Sequence, residues 1–214
     1  NLENAVGSGY TFGYYDAGRN FVEVGETGRT AVSVTAAGTI YLGSSGYYET
    51  DQGRGSIGKW RAEAGETYGS YEEAAAAAES YPGSHVAYLS DTYRLRLGCY
   101  ETEDAAILAL SSAGLDGRAV EASRTGVVVT VTKTDTVLFE FDCQGSRSFA
   151  ILPDGQGQTA ETWFRFYKYR GGFEYPRVTG GKLSVINVVD REDYVKGVIP
   201  YEMSGTWPVE ALAV

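Results

Sequence analysis

Apolar and polar positions alternate in short runs at both ends of this chain, and glycines separate the runs. Phe21-Val22-Glu23-Val24 ends at Gly25, Ala31–Thr35 ends at the turn Ala37-Gly38, and Thr39–Leu42 ends at Gly43-Ser44-Ser45-Gly46. Period-two segments split in this way predict an antiparallel meander over residues 10–58. The same period returns after Gly126, at Val127–Val131, Val137–Phe141, Phe149–Leu152 and Trp163–Tyr167. A last strand, Leu183–Val188, follows the Gly180-Gly181 turn, and Gly155–Gln158 forms a loop. The two flanks, 1–58 and 123–214, predict one β-rich body interrupted by residues 59–122.

That interruption is a repeat. Trp60-Arg61-Ala62-Glu63-Ala64-Gly65 aligns with Tyr93-Arg94-Leu95-Arg96-Leu97-Gly98, an aromatic-led strand ending in glycine. A polar loop and an alanine-rich helix follow each copy, with Glu73-Ala74-Ala75 matching Asp104-Ala105-Ala106. Ser70 and Glu73 form a capping box for the first helix, and the Ala74–Ala78 run has the highest helix propensity available. Thr102 is the expected N-cap of the second helix, Glu103 and Asp104 suit its positive end, and Gly114 is placed for its C-cap. Strands at His85–Leu89 and Ala119–Ala122 complete a βαββαβ unit. The predicted fold is α+β, a β-rich body with this unit inserted.

Charge narrows the function. Lys and Arg total 18 against 28 Asp and Glu, a formal net charge of −10. A general nucleic-acid binder needs a basic face, and anionic lipid would not be held by charge alone. No apolar run approaches the ~18 residues of a membrane span. The chain opens at Asn1 rather than Met, as a processed or trimmed chain without its targeting segment would. Cys99 and Cys143 lack metal-ligand spacing and allow either one disulfide or two free thiols. His85 is the sole histidine, which disfavours a histidine-rich zinc site or a Ser-His-Asp triad; in a predicted strand it suits a half-buried structural role. No cofactor and no metal are expected.

The repeat resembles the SPOR domain, a peptidoglycan-binding module. The matching features are the duplicated strand-glycine-loop-helix pattern and the helix starts Tyr71-Glu72-Glu73-Ala74 and Glu103-Asp104-Ala105-Ala106. Residues 59–122 are therefore expected to form a SPOR-like module.

Chemistry concentrates at the C-terminal end. Asp190 is a candidate N-cap for a short helix with Tyr194, Val195, Val198 and Ile199 on its apolar face. Pro200 is expected to stop that helix, leaving Glu202 on a loop before a second helix opened by Pro208. A carboxyl flanked by Tyr201, Met203 and Trp207 is in a setting that raises its pKa by desolvation, and aromatic faces suit a sugar ring. Glu202 is the candidate catalytic residue; Tyr201, Met203, Ser204, Trp207 and Tyr194 are the candidate substrate-binding residues. A capping role for Glu202 and a core role for Trp207 are the plain alternatives, and Arg170 fits bracing of the sheet better than contact with a ligand.

The pattern Asn187-x4-Glu192-Asp193-Tyr194-x2-Gly197-Val198-x-Pro200-x-Glu202-Met203-x3-Trp207-Pro208-x-Glu210-Ala211-Leu212 resembles the signature of the SpoIID/LytB family of bacterial cell-wall proteins. Tyr169-Arg170-Gly171 is similar to that family's "YRG" step. The resemblance implies a peptidoglycan lytic transglycosylase acting on glycan strands stripped of their peptide stems, with its catalytic glutamate at Glu202. The alternative it implies is a non-catalytic wall-binding protein that enhances an N-acetylmuramoyl-L-alanine amidase. The expected partners are glycan strands and, on the second reading, such an amidase. The expected location is outside the cytoplasm of a Gram-positive bacterium, at the wall, the cell surface or the forespore intermembrane space. The family domain continues beyond the "WPxEAL" helix, so the resemblance also implies a C-terminally truncated chain that is inactive as a fragment.

Overall fold

The structure, a computed structural model, describes residues 1–179 and 181–202, the last three in backbone only. The first flank supplies β1 (Leu2–Asn4), β2 (Tyr10–Tyr15), β3 (Phe21–Thr27), β4 (Ala31–Ala36), β5 (Ile40–Leu42), β6 (Tyr47–Tyr48) and β7 (Ser56–Ile57). The repeat supplies β8 (Trp60–Tyr68), α1 (Tyr71–Ala78), β9 (His85–Leu89), β10 (Thr92–Tyr100), α2 (Glu103–Ala113) and β11 (Gly117–Glu121). The second flank supplies β12 (Val127–Val131), β13 (Val137–Asp142), β14 (Phe149–Pro153), β15 (Glu161–Phe164), β16 (Tyr167–Arg170), β17 (Gly172–Tyr175), β18 (Arg177–Val178), β19 (Lys182–Leu183), β20 (Ile186–Val188) and α3 (Arg191–Glu202). The chain is β-rich α+β.

Local chemistry explains the repeat. The Ser70 hydroxyl accepts from Glu73 N at 3.2 Å, and the Glu73 carboxylate reaches back to Gly69 N at 3.1 Å. The Thr102 side chain caps α2 through Ala105 N, and Gly114 closes it in the left-handed region at φ 67°. Ala62, Ala64, Leu95 and Leu97 pack with Ala106 and Leu110, so the side chains between them face the opposite side of the strands. The four strands pair antiparallel in the order β11-β8-β10-β9.

This sheet continues past β9. Strand β13 pairs parallel to β9, with Glu140 opposite Ala87, and the sheet runs on through β12, β4, β1, β15 and β16 to ten strands. A second sheet, ordered β20-β17-β14-β2-β3, brings Phe12 and Phe149 against Phe139 and Phe141 of the first. Helix α1 lies on this same side: Tyr71 packs on Phe139, and its hydroxyl donates to the Glu26 carbonyl of β3 at 2.8 Å. The flanks pair with each other at β4–β12, β1–β15 and β2–β14.

Three local expectations change. Residues 10–58 do not form one meander, because β2 and β3 join the second sheet, β4 joins the first, and β5–β7 form a small sheet of their own. Val32 and Ser33, adjacent in β4, are both buried, so this strand is covered on both faces and cannot be the outward member of a hairpin stack. The Trp163–Tyr167 run is the bend of the β15–β16 hairpin, with Arg165 at φ 58°. His85 is fully rather than half buried. Of the two options open for the cysteines, the structure has the free thiols.

Charged side chains fill the face of β8–β10 and β13 away from the helices. Arg61 Nε donates to both Glu140 oxygens at 3.0 and 3.1 Å, and Arg96 Nη1 lies 2.7 Å from Glu140 Oε2. Arg96 Nη2 and Nε donate to Glu63 at 2.7 and 3.2 Å, and Arg118 reaches the same carboxylate at 3.2 Å. Arg61, Glu63, Arg96 and Glu140 are all buried. Burial opposes the charge on Glu140, but Arg96 and Arg61 outweigh it and hold the carboxyl well below the usual carboxylate range. Burial also lowers the His85 pKa, against the pull of Glu140 at 3.4 Å.

Glu140→Gln leaves the buried Arg61 guanidinium without its counter-charge and Arg96 with Glu63 alone. It should cost about 3–5 kcal/mol in urea unfolding at neutral pH. Both Glu140 and His85 have folded-state pKa values below their unfolded ones, so the unfolded chain binds more protons as pH falls. Stability should therefore start to drop below the ordinary histidine value of 6.5 and drop further below the ordinary glutamate value of 4.5. Glu140→Gln should flatten the lower part of that acid limb.

Candidate functional site

The β15–β16 hairpin, β20 and α3 together build one cleft. In the hairpin Trp163 stands opposite Lys168 and Glu161 opposite Arg170, placing these four on one face. Phe164 and Tyr169 point the other way and pack against Phe173 of β17, tilted and edge-on, at ring-centroid distances of 5.4 and 5.6 Å. Strand β16 turns into β17 at Gly171, which has φ 72°. A Cβ there would lie 2.2 Å from the Val188 carbonyl oxygen, so the step needs glycine. Asn187 locks the same corner, its Nδ2 donating to the carbonyls of Arg170 and Gly172, each at 3.0 Å.

Helix α3 starts where its sequence calls for it. Asp190 Oδ1 accepts from Glu192 N at 2.8 Å, the N-cap expected of that residue. In the first turn Asp193 Oδ1 accepts from Arg170 Nη1 at 2.8 Å, and Arg170 Nε lies 3.6 Å from Glu161. The hydrogen bond to Asp193 raises the Arg170 pKa. Arg170 thus braces β16 against α3, in keeping with the bracing role its sequence context favours.

Between hairpin and helix lies an open cleft of about 670 Å³. Glu161, Lys168, Arg170 and Asn187 form one wall, and Asp193, Tyr194, Lys196 and Val198 form the other. Its central charges pair among themselves, Lys168 and Arg170 each 3.6 Å from Glu161 and Arg170 with Asp193. Tyr167 and Tyr194 stand at the cleft with well over half of their surface exposed. Paired polar side chains beside exposed rings suit a hydroxyl-rich ligand: the planar groups bond hydroxyls and the rings take apolar C–H faces.

Of the predicted site residues, Tyr194 is in this cleft. The helix does not stop at Pro200; it runs to Glu202, so Tyr201 and Glu202 belong to its last turn rather than to a loop. A proline removes only its own N–H bond and crowds the carbonyl four residues back, here that of Lys196, while its fixed φ is itself helical. With two helical residues after it, Pro200 does not end the helix. Glu202 lies about 13 Å along the helix axis from Asp193. Met203, Ser204 and Trp207 lie outside the described residues. Asn187 enters the sequence reading only as the first position of the family-like pattern, and Glu161 and Lys168 are cleft residues that sequence reasoning did not single out. Their signal is the alternation of Tyr167-Lys168-Tyr169-Arg170, legible once the hairpin bend is known.

His85, Cys99 and Glu140 bring possible ligand atoms within 4.8 Å of one another. They do not fit a metal ion. Both Glu140 oxygens already accept from Arg61, and the two guanidiniums beside it would repel a cation. Burial pushes the Cys99 thiol up to about 12, so it keeps its proton. Among the described residues no helix is long and apolar enough to cross a membrane.

Residues 179–214 match the family model described as SpoIID, Stage II sporulation protein. An uncharacterized protein of Brachyspira hyodysenteriae is 64% identical over 28 residues, which are 13% of this chain and 8% of that protein. The matched stretch is therefore a small share of either protein. No solved structure matches the chain.

Asn187→Asp would set a carboxylate against two carbonyl oxygens in place of an amide donor. It should cost roughly 1–3 kcal/mol in guanidinium unfolding and speed amide exchange in the first turn of α3. Arg170→Met breaks a half-exposed pair and should change stability by less than about 1 kcal/mol, while it too speeds that exchange.

Proposed function

We propose that the full-length protein is a peptidoglycan lytic transglycosylase of the SpoIID kind, with Glu202 as its acid and base. The carrying observation is the SpoIID match over residues 179–214, which spans Glu202 and its neighbours. The paired charges and exposed tyrosines of the cleft on α3 support a glycan as the ligand. In this reading the Glu202 carboxyl protonates the glycosidic oxygen between N-acetylmuramic acid and N-acetylglucosamine. As the C1–O bond breaks, the muramic O6 attacks C1, and the Glu202 carboxylate takes the O6 proton. The product is a 1,6-anhydro end, no water is consumed, and one residue serves as acid and then base. Tyr194, Tyr201, Met203, Ser204 and Trp207 are proposed to contact the strand. The substrate lies outside the cytoplasmic membrane, so the parent protein is proposed to be exported to the wall, the cell surface or the forespore intermembrane space.

A second reading has its own support. The βαββαβ unit keeps its helices on one side, and an open groove of about 320 Å³ lies on the other, where Glu63, Arg94, Arg96 and Arg118 reach it. As a SPOR-like module it would hold stem-free glycan while the rest of the chain recruits an amidase.

Glu202→Gln in the full-length protein should lower release of anhydro-ended fragments from stem-free glycan by about 10²–10⁴-fold, with strand binding kept. Unchanged release would refute the assignment. Strand binding without release by the intact full-length protein would favour the second reading.

A further inference from the structure

Arg177 opens β18 directly after the buried end of β17, and its guanidinium is only partly used. Nη2 donates to the Arg124 carbonyl at 2.6 Å. Nε and Nη1 are shielded from solvent and have no hydrogen-bond partner among the described residues. No carboxylate among those residues pairs with it directly. Asp142, which acts on it from farther away, is committed to the Thr125 hydroxyl at 2.7 Å and to Gln144 N at 2.8 Å. Idle, shielded donors on a charged group call for an acceptor.

A cavity of about 60 Å³ lies beside them, lined by Thr125, Arg147, Ser148, Tyr175 and Arg177. Tyr175 is 4% exposed and makes no side-chain hydrogen bond among the described residues. Ser148 offers a further hydroxyl. Arg147 also lines the cavity, with its guanidinium committed to Asp91, the Tyr88 hydroxyl and the Tyr14 ring. A water needs about 10–15 Å³ of such space, so the cavity has room for a group of several heavy atoms but not for a sugar ring. Its lining carries the hydroxyls of Thr125, Ser148 and Tyr175 and the Arg177 guanidinium, unpaired among the described residues, in a chain whose net charge is −10.

We propose that this cavity binds a tetrahedral oxyanion, either inorganic phosphate or the end of a phosphomonoester, with Arg177 and Tyr175 as its main donors. The bound anion would join three connections: Arg124 lies between β11 and β12, Ser148 between β13 and β14, and Arg177 follows β17. It would stiffen the passage by which the chain leaves the βαββαβ unit. The site does not depend on the glycan reading.

The test is calorimetric titration of the full chain with inorganic phosphate and, separately, methyl phosphate, in low-chloride buffer near neutral pH, with thermal unfolding in parallel. Saturable binding at one site and a rise in Tm are expected for at least one of the two, and the tighter ligand identifies the source. Arg177→Gln should weaken binding by at least about tenfold and abolish the rise in Tm, because it removes charge-assisted donors. Tyr175→Phe keeps the ring in place and should weaken binding roughly threefold, so a folding defect in the arginine variant would not decide the outcome. No binding of either ligand at millimolar concentration, or wild-type affinity in both variants, would overturn the proposal.

Discussion

The architecture depends on Glu140, held between Arg61 and Arg96. Strand β13 runs parallel to β9, and that single pairing joins the repeat's strands to the rest of the ten-stranded sheet. Side chains alternate along β13, so Phe139 and Phe141 enter the aromatic core while Glu140 meets the guanidiniums on the opposite face. A slip of one residue would drive the carboxylate into the phenylalanines and a phenylalanine against two arginines. The charge cluster therefore sets the register. A well-packed apolar substitute for the whole cluster could be as stable, but loss of one member is costly.

The cleft follows from how the far end of the same sheet is finished. The β15–β16 hairpin forms its edge, Gly171 lets β16 turn tightly beside β20, and Asn187 ties the turn. Helix α3 is then anchored by the bond between Arg170 and Asp193, which fixes the direction in which it carries Glu202. None of the described side chains of α3 is buried, and Tyr194, Val195 and Ile199 of its expected apolar face are exposed, so its placement rests on these polar contacts instead.

The local features were legible in the sequence. The capping box at Ser70, the caps at Thr102 and Gly114, the N-cap at Asp190 and the duplicated strand-helix pattern each depend on residues within a few positions. The alignment even held a clue to the charge cluster, because Glu63 in one copy stands where Arg96 stands in the other, and the two are partners in the sheet. What the pattern could not supply was long-range pairing: β4 with β12, β13 beside β9, and the split of the first flank between sheets. The Trp163–Tyr167 bend was hidden because Arg165, not glycine, takes the left-handed conformation. Pro200 misled because the helix continues two residues past it, despite the lost N–H bond and the crowded Lys196 carbonyl. Of the site, Tyr194 and the bracing Arg170 were readable, whereas Glu161 and Lys168 are brought in by the hairpin.

The central functional claim is bond cleavage without water. Its most direct test is mass spectrometry of the ends made when full-length protein acts on stem-free glycan strands. The account predicts new muramic ends one water lighter than reducing ends, the 1,6-anhydro form. New ends of ordinary reducing mass, or strands of undiminished length, would contradict it.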